Sequence, residues 1–205
     1  MEKGFVIKGK RAGKNGAGRL RHISAALLAL LLLLTAVPAL AADPYDLDQI
    51  FIRHCSGLVP NLSWDRTISR DDFSVTIWET AYIGGQKYVF HVEGDDRSVA
   101  LLTLSGKFSD LKMREGDFPD GLFAFTACMY AVSEWLPDGG DAYETFSPYS
   151  IYDQINNGYV YEKVIGKWTT SVCSREVLEA YGANGGYVLF SRLSDGTFSL
   201  YASEY

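Results

Sequence analysis

The side chains that could do chemistry in this sequence are mostly carboxylates set beside expected turns. They are Asp71-Asp72, Glu93 with Asp95-Asp96, Asp117 with Asp120, and Asp138 with Asp141. Hydrolysis of a glycoside needs two carboxyls roughly 5 to 10 Å apart across a cleft, in environments that push their pKa values apart. Glu93, Asp95 and Asp71 are the candidate catalytic acids on this logic, with Trp78 and Tyr82 as candidate aromatic binding residues. Acids at hairpin ends are ordinarily solvated turn formers, which is the competing account of all of them. Asp117 and Asp120, within Gly116-Asp-Phe-Pro-Asp-Gly121, come closest to a calcium loop, but the D-x-[DN]-x-[DN]-G pattern and its closing Glu are missing. No metal and no cofactor is expected.

His54-Cys55 pairs an imidazole with a thiol in sequence. Neighbours on a helix point about 100° apart, so the two cannot serve each other as base and nucleophile. The cysteines are Cys55, Cys128 and Cys173. One bridge and one free thiol is the simplest arithmetic. Cys128 lies in the apolar run from Phe123 to Val132 and suits a buried thiol, which leaves Cys55 to Cys173 as the expected pair. G-x-S-x-G, H-E-x-x-H, Walker and G-x-G-x-x-G patterns are all absent.

The elements that must position these groups read as an α+β fold. Asp43-Pro44 opens a helix in which Leu47, Ile50, Phe51 and His54 recur at spacings of three and four, and Gly57 and Pro60 end it. Runs 73–82, 87–93 and 98–105 are β-branched or aromatic and are divided by Gly84-Gly85 and Gly94-Asp95-Asp96, so they form an antiparallel meander. In the first, Phe73, Val75, Ile77 and Glu79 point one way while Ser74, Thr76, Trp78 and Thr80 point the other. Leu122, Phe125, Met129, Val132 and Leu136 predict a central buried helix over 122–136, capped by Asp120 and stopped by Pro137-Asp-Gly-Gly140. A short helix over 148–156 competes there with a hairpin through Asn157-Gly158. A strand over 159–165, a helix over 175–181 and a C-terminal hairpin turning at Asp195-Gly196 complete the list. The expected architecture is one domain over 43–205, a curved antiparallel sheet of meander plus C-terminal hairpin packed on the central helix. Its element order hints at two related halves.

Ahead of it, a leader with seven Lys and Arg residues runs into the uncharged block from Ile23 to Ala42, ending Ala39-Leu40-Ala41. Basic, apolar and small-residue regions in that order make a secretory signal peptide over 1–41, cleaved after Ala41. The alternative is an uncleaved membrane anchor with the domain outside the cytoplasm. The leader holds seven of the 19 Lys+Arg and one of the 25 Asp+Glu, so the rest keeps 12 bases and 24 acids, a net charge of −12. Such a domain is repelled by nucleic acid and by anionic membranes. The expected function is therefore an exported, non-enzymatic binding module whose partner is an extracytoplasmic protein, an envelope component or a small ligand. A small secreted hydrolase using the loop carboxylates, and a membrane-anchored accessory or sensor domain, are the alternatives.

Overall fold

The computed structural model describes residues 43–112, 119–146, 151–152, 155, 162–172 and 176–204. Helix α1 (Pro44–Leu58) starts where the sequence places it: the Asp43 carboxylate accepts from the Asp46 N–H at 2.9 Å, and proline takes the first helical position. Four strands follow, β1 (Asp65–Arg70), β2 (Val75–Ile83), β3 (Gln86–Gly94) and β4 (Val99–Lys107), each antiparallel to the last. The β2–β3 turn uses Gly84 and Gly85, both at positive φ of 55° and 79°, a conformation that costs glycine nothing. A 3-10 turn (Phe108–Leu111) leads toward α2 (Asp120–Trp135) and α3 (Gly139–Thr145). Strands β5 (Glu162–Ile165), β6 (Trp168–Val172), β7 (Val177–Gly182), β8 (Gly186–Arg192) and β9 (Thr197–Glu204) form a second meander.

The two meanders join edge to edge through antiparallel pairing of β4 with β9, giving one nine-stranded sheet of order β1-β2-β3-β4-β9-β8-β7-β6-β5. The fold is α+β on a single sheet. Alternation decides which side faces the core: Val75, Ile77 and Ala81 of β2, Tyr88, Phe90 and Val92 of β3, and Phe198, Leu200 and Ala202 of β9 are all buried. The helices cover that side. Phe51 of α1 stacks on Phe90 at 3.9 Å between centroids, and Phe125 of α2 meets Phe190 and Phe198 edge-on at 6.1 and 5.7 Å. Twelve of the 16 residues of α2 are buried, because the sheet lies under it while α1 and α3 flank it. A helix apolar on nearly every side belongs in that position.

Three expectations need correction. The segment read as a helix over 175–181 is strand β7, whose Leu178 and Ala180 alternate inward and whose partner is β8. Its flanking Ser174 and Gly182 resembled helix punctuation, but period-two burial and the ladder to β8 prevail. Strands β1 and β6 were not expected at all. Asp120 is the first helical residue of α2 and not its cap, which is Pro119. The chain also re-enters a helix, α3, at Gly139, inside the predicted stop. Of the segment contested between helix and hairpin, the described residues Ile151, Tyr152 and Ile155 are helical, and Ile151 and Ile155 are buried. Among the described residues no helix is long and apolar enough to cross a membrane.

Candidate functional site

Residues with the opposite parity stand on the other side of the sheet, where none of the described helices packs. Cross-strand register carries one row from Thr67 through Trp78, His91, Thr103 and Tyr201 to Leu189 and Glu179. The adjacent row runs Ser69, Thr76, Glu93, Leu101, Ser203, Tyr187 and Tyr181. Trp78 and His91 are stacked at 5.4 Å with planes 17° apart. Tyr187 touches Tyr181 at 5.1 Å and Tyr201 at 6.1 Å. The face thus holds two aromatic platforms among threonine and serine hydroxyls. Glu93 Oε2 lies 3.9 Å from His91 Nε2, while burial among the side chains of the face lowers the imidazole pKa against the pull of that carboxylate. Three sequence candidates, Trp78, Tyr82 and Glu93, lie on this face, with Tyr82 four residues along β2 from Trp78 and six from Thr76, which opposes Glu93. Tyr82 is its most exposed aromatic, at 68 %.

The other acids lie elsewhere. Asp71 and Asp95 share an open depression of about 500 Å³ at the hairpin ends, with Asp72, Asp96, Arg70 and Arg97 around them and neither Trp78 nor Tyr82. Both carboxylates are occupied by their own turns. Asp71 Oδ1 accepts from the N–H groups of Phe73 and Ser74 at 2.8 and 2.7 Å; Asp95 Oδ1 accepts from those of Arg97 and Ser98 at 2.7 and 2.8 Å. These bonds hold both pKa values below the ordinary aspartate range, so neither carries a proton to donate near neutrality. Asp120 is exposed at the start of α2, and Asp117 lies outside the described residues. No cluster of three or more His, Cys, Asp or Glu that could hold a metal occurs among the described residues.

A second cluster was not singled out from the sequence. In a cleft of about 590 Å³ between α1 and the β1–β2 edge, Asp48 and Glu79 are each 2 % exposed. Arg66 Nη2 binds Asp48 Oδ2, and its Nε lies 3.5 Å from Glu79 Oε1. Burial raises both carboxyls; for Glu79, burial and then the Asp48 charge push the pKa to about 7. The signal was present in the alternation that set Glu79 among Val75 and Ile77, an acid on a core face. Asp48 also stands on the inner stripe of α1, three residues before Phe51 and seven before Cys55.

Cys55 is a free, buried thiol, with burial raising its pKa to about 12, and Cys128 is free and fully buried on α2. Cys173, the expected partner of Cys55, lies outside the described residues. His54 turns from Cys55 to stack on Tyr130 at 4.5 Å, with Nε2 3.3 Å from Glu134 Oε1. No protein-family model, characterised protein or solved structure matches this chain.

Proposed function

We propose that the chain is an exported binding module that meets an extracytoplasmic protein or envelope component through the helix-free face of its sheet. The observation that carries this reading is the pair of aromatic platforms, Trp78 on His91 and Tyr187 with Tyr181 and Tyr201, on a face that also presents the hydroxyls of Thr67, Thr76 and Thr103. Aromatic rings beside small polar groups offer large contact area at little entropic cost and adaptable hydrogen bonding. The basic leader, its apolar block and the Ala39-Leu-Ala41 end support delivery outside the cytoplasm, and the net charge of −12 beyond it disfavours nucleic acid and anionic membranes. The spent carboxylates of Asp71 and Asp95 weigh against the hydrolase alternative.

Co-sedimentation with insoluble envelope material and chemical cross-linking to exported proteins test the reading together. The wild-type chain should be retained in at least one assay, and Trp78→Ala with Tyr187→Ala should reduce retention about tenfold. Retention unchanged in the double variant, or absent for the wild type in both assays, would overturn it. Sequencing the N-terminus of the mature chain distinguishes the two export readings: Ala42 for a cleaved leader, Met1 for a retained anchor.

A further inference from the structure

We propose that Asp48, Glu79 and Arg66 form a proton-dependent clamp that seats α1 on the sheet and loosens as the pH rises. The two acids come from different elements, α1 and β2, and converge beneath one arginine from the edge strand β1. Two ionised carboxylates can only accept hydrogen bonds, and Asp48 Oδ1 then has no donor among the described residues at a position shut off from water. A proton on Glu79 supplies that donor. The triad is then neutral overall, with Glu79 donating to Asp48 and Asp48 paired with Arg66.

Losing the proton leaves two buried negative charges facing one arginine that is 39 % exposed. Among the described residues the surroundings do not make up the deficit. Around the triad, β1 adds Asp65, whose charge further disfavours ionised Glu79, and α1 adds Cys55. Arg53 of α1 lines the same cleft but lies 3.5 Å from Glu134 of α2. Cys128 of α2 is un-ionised in the ordinary range, and the residue opposite Glu79 on β3 is Phe90. The Glu79 pKa of about 7, against an ordinary 4.5, sets the window. A carboxyl whose pKa is raised by folding contributes stability that is full below pH 4.5, declines as the pH climbs through the interval and is gone above about 7. The element that answers is α1, whose Phe51 covers Phe90 and meets Trp64 edge-on at 4.9 Å.

The test uses the full chain and Glu79→Gln, an isostere that keeps a donor for Asp48 and does not titrate. His54 and His91, whose pKa values are lowered, contribute pH dependence of the opposite sign, so the difference between wild type and variant is the quantity to read. Labelling of Cys55, buried on α1, is followed by mass spectrometry at pH 5 and pH 8. The wild-type to variant ratio of labelling rates should rise about tenfold from pH 5 to pH 8. The difference in thermal midpoint should move in the variant's favour over the same interval. Asp48→Asn, which removes the second charge, should also shrink the wild-type response and serves if Glu79→Gln fails to fold. A labelling ratio constant within twofold across that range, or the same pH response in wild type and either variant, refutes the clamp.

Discussion

Gly106 of β4 and Gly121 in the first turn of α2 form the two walls of a slot for Tyr88, and filling either wall should unseat α2 from the sheet. A Cβ on Gly106 would lie 2.1 Å from Tyr88 Cε1, and one on Gly121 would lie 2.1 Å from the Tyr88 hydroxyl oxygen and 2.9 Å from Asp110 Cβ. Carbon atoms pack best at about 3.5 to 4.0 Å, so Gly106→Ala demands a displacement of roughly 1.5 Å. Tyr88 has nowhere to go. Its ring is fully buried, and its hydroxyl donates to Asp110 Oδ2 at 2.8 Å, tying β3 to the turn before α2. Overpacking of this kind costs about 1 to 3 kcal/mol, and loss of a hydrogen bond to a charged acceptor adds about 1.5 to 3 kcal/mol. Gly106→Ala should therefore destabilise the domain by about 2.5 to 6 kcal/mol, a large share of the roughly 5 to 15 kcal/mol typical of a domain. Chemical denaturation of a double-mutant cycle with Tyr88→Leu measures the coupling. In the Tyr88→Leu background Gly106→Ala should cost less than about 1 kcal/mol, because alanine is no worse than glycine within a strand once the ring has gone. For Gly121→Ala, partial relief should already come from Tyr88→Phe, since its closest clash is with the hydroxyl. Additivity of Gly106→Ala and Tyr88→Leu within about 0.5 kcal/mol would refute the slot.

Three further outcomes are expected. Arg66→Met removes the only cation bound to Asp48 and Glu79 among the described residues; breaking a buried pair costs about 3 to 5 kcal/mol, reduced to about 2 kcal/mol here by the partial exposure of the arginine, and urea titration should find a larger loss at pH 8 than at pH 5. Equal losses at the two pH values would contradict the account of Glu79. Cys128 should resist a water-soluble disulfide reagent in the native protein and react once urea unfolds it, as burial requires; fast native labelling there would count against the packing of α2 on the sheet. Asp71→Asn and Asp95→Asn should lower the thermal midpoint at neutral pH and leave it nearly unchanged well below the ordinary aspartate pKa of about 3.9. Both carboxylates have pKa values depressed by folding, so their contribution is present above that value and disappears as the pH falls.

What could be read from the sequence, and what could not, follows from how far each signal reaches. Gly84-Gly85 and Asp195-Gly196 announce their hairpins because the turn chemistry is local, and the apolar run of α2 announces burial for the same reason. Strand β1, Asp-Arg-Thr-Ile-Ser-Arg, is exposed at all six positions and has no alternation to detect; it is a strand only because β2 lies beside it. That omission hid the clamp, since Arg66 cannot be placed between Asp48 and Glu79 until β1 is paired with β2. Glu79 was visible as an acid on an apolar face, but its partner lies 31 residues earlier on a helix whose position over the sheet no local pattern encodes. The open face divides in the same way. Alternation puts Trp78 and Tyr82 on one side of the first meander, and Tyr187 and Tyr201 on one side of the last hairpin. Whether those are the same side depends on the register of β4 against β9, where Thr103 opposes Tyr201 across nearly a hundred residues of chain. A one-residue slip there would turn Tyr201 to the helices and Leu200 to the outside, so the proposed binding face exists only because Leu104 and Leu200, directly opposed and both fully buried, pin the register from the core.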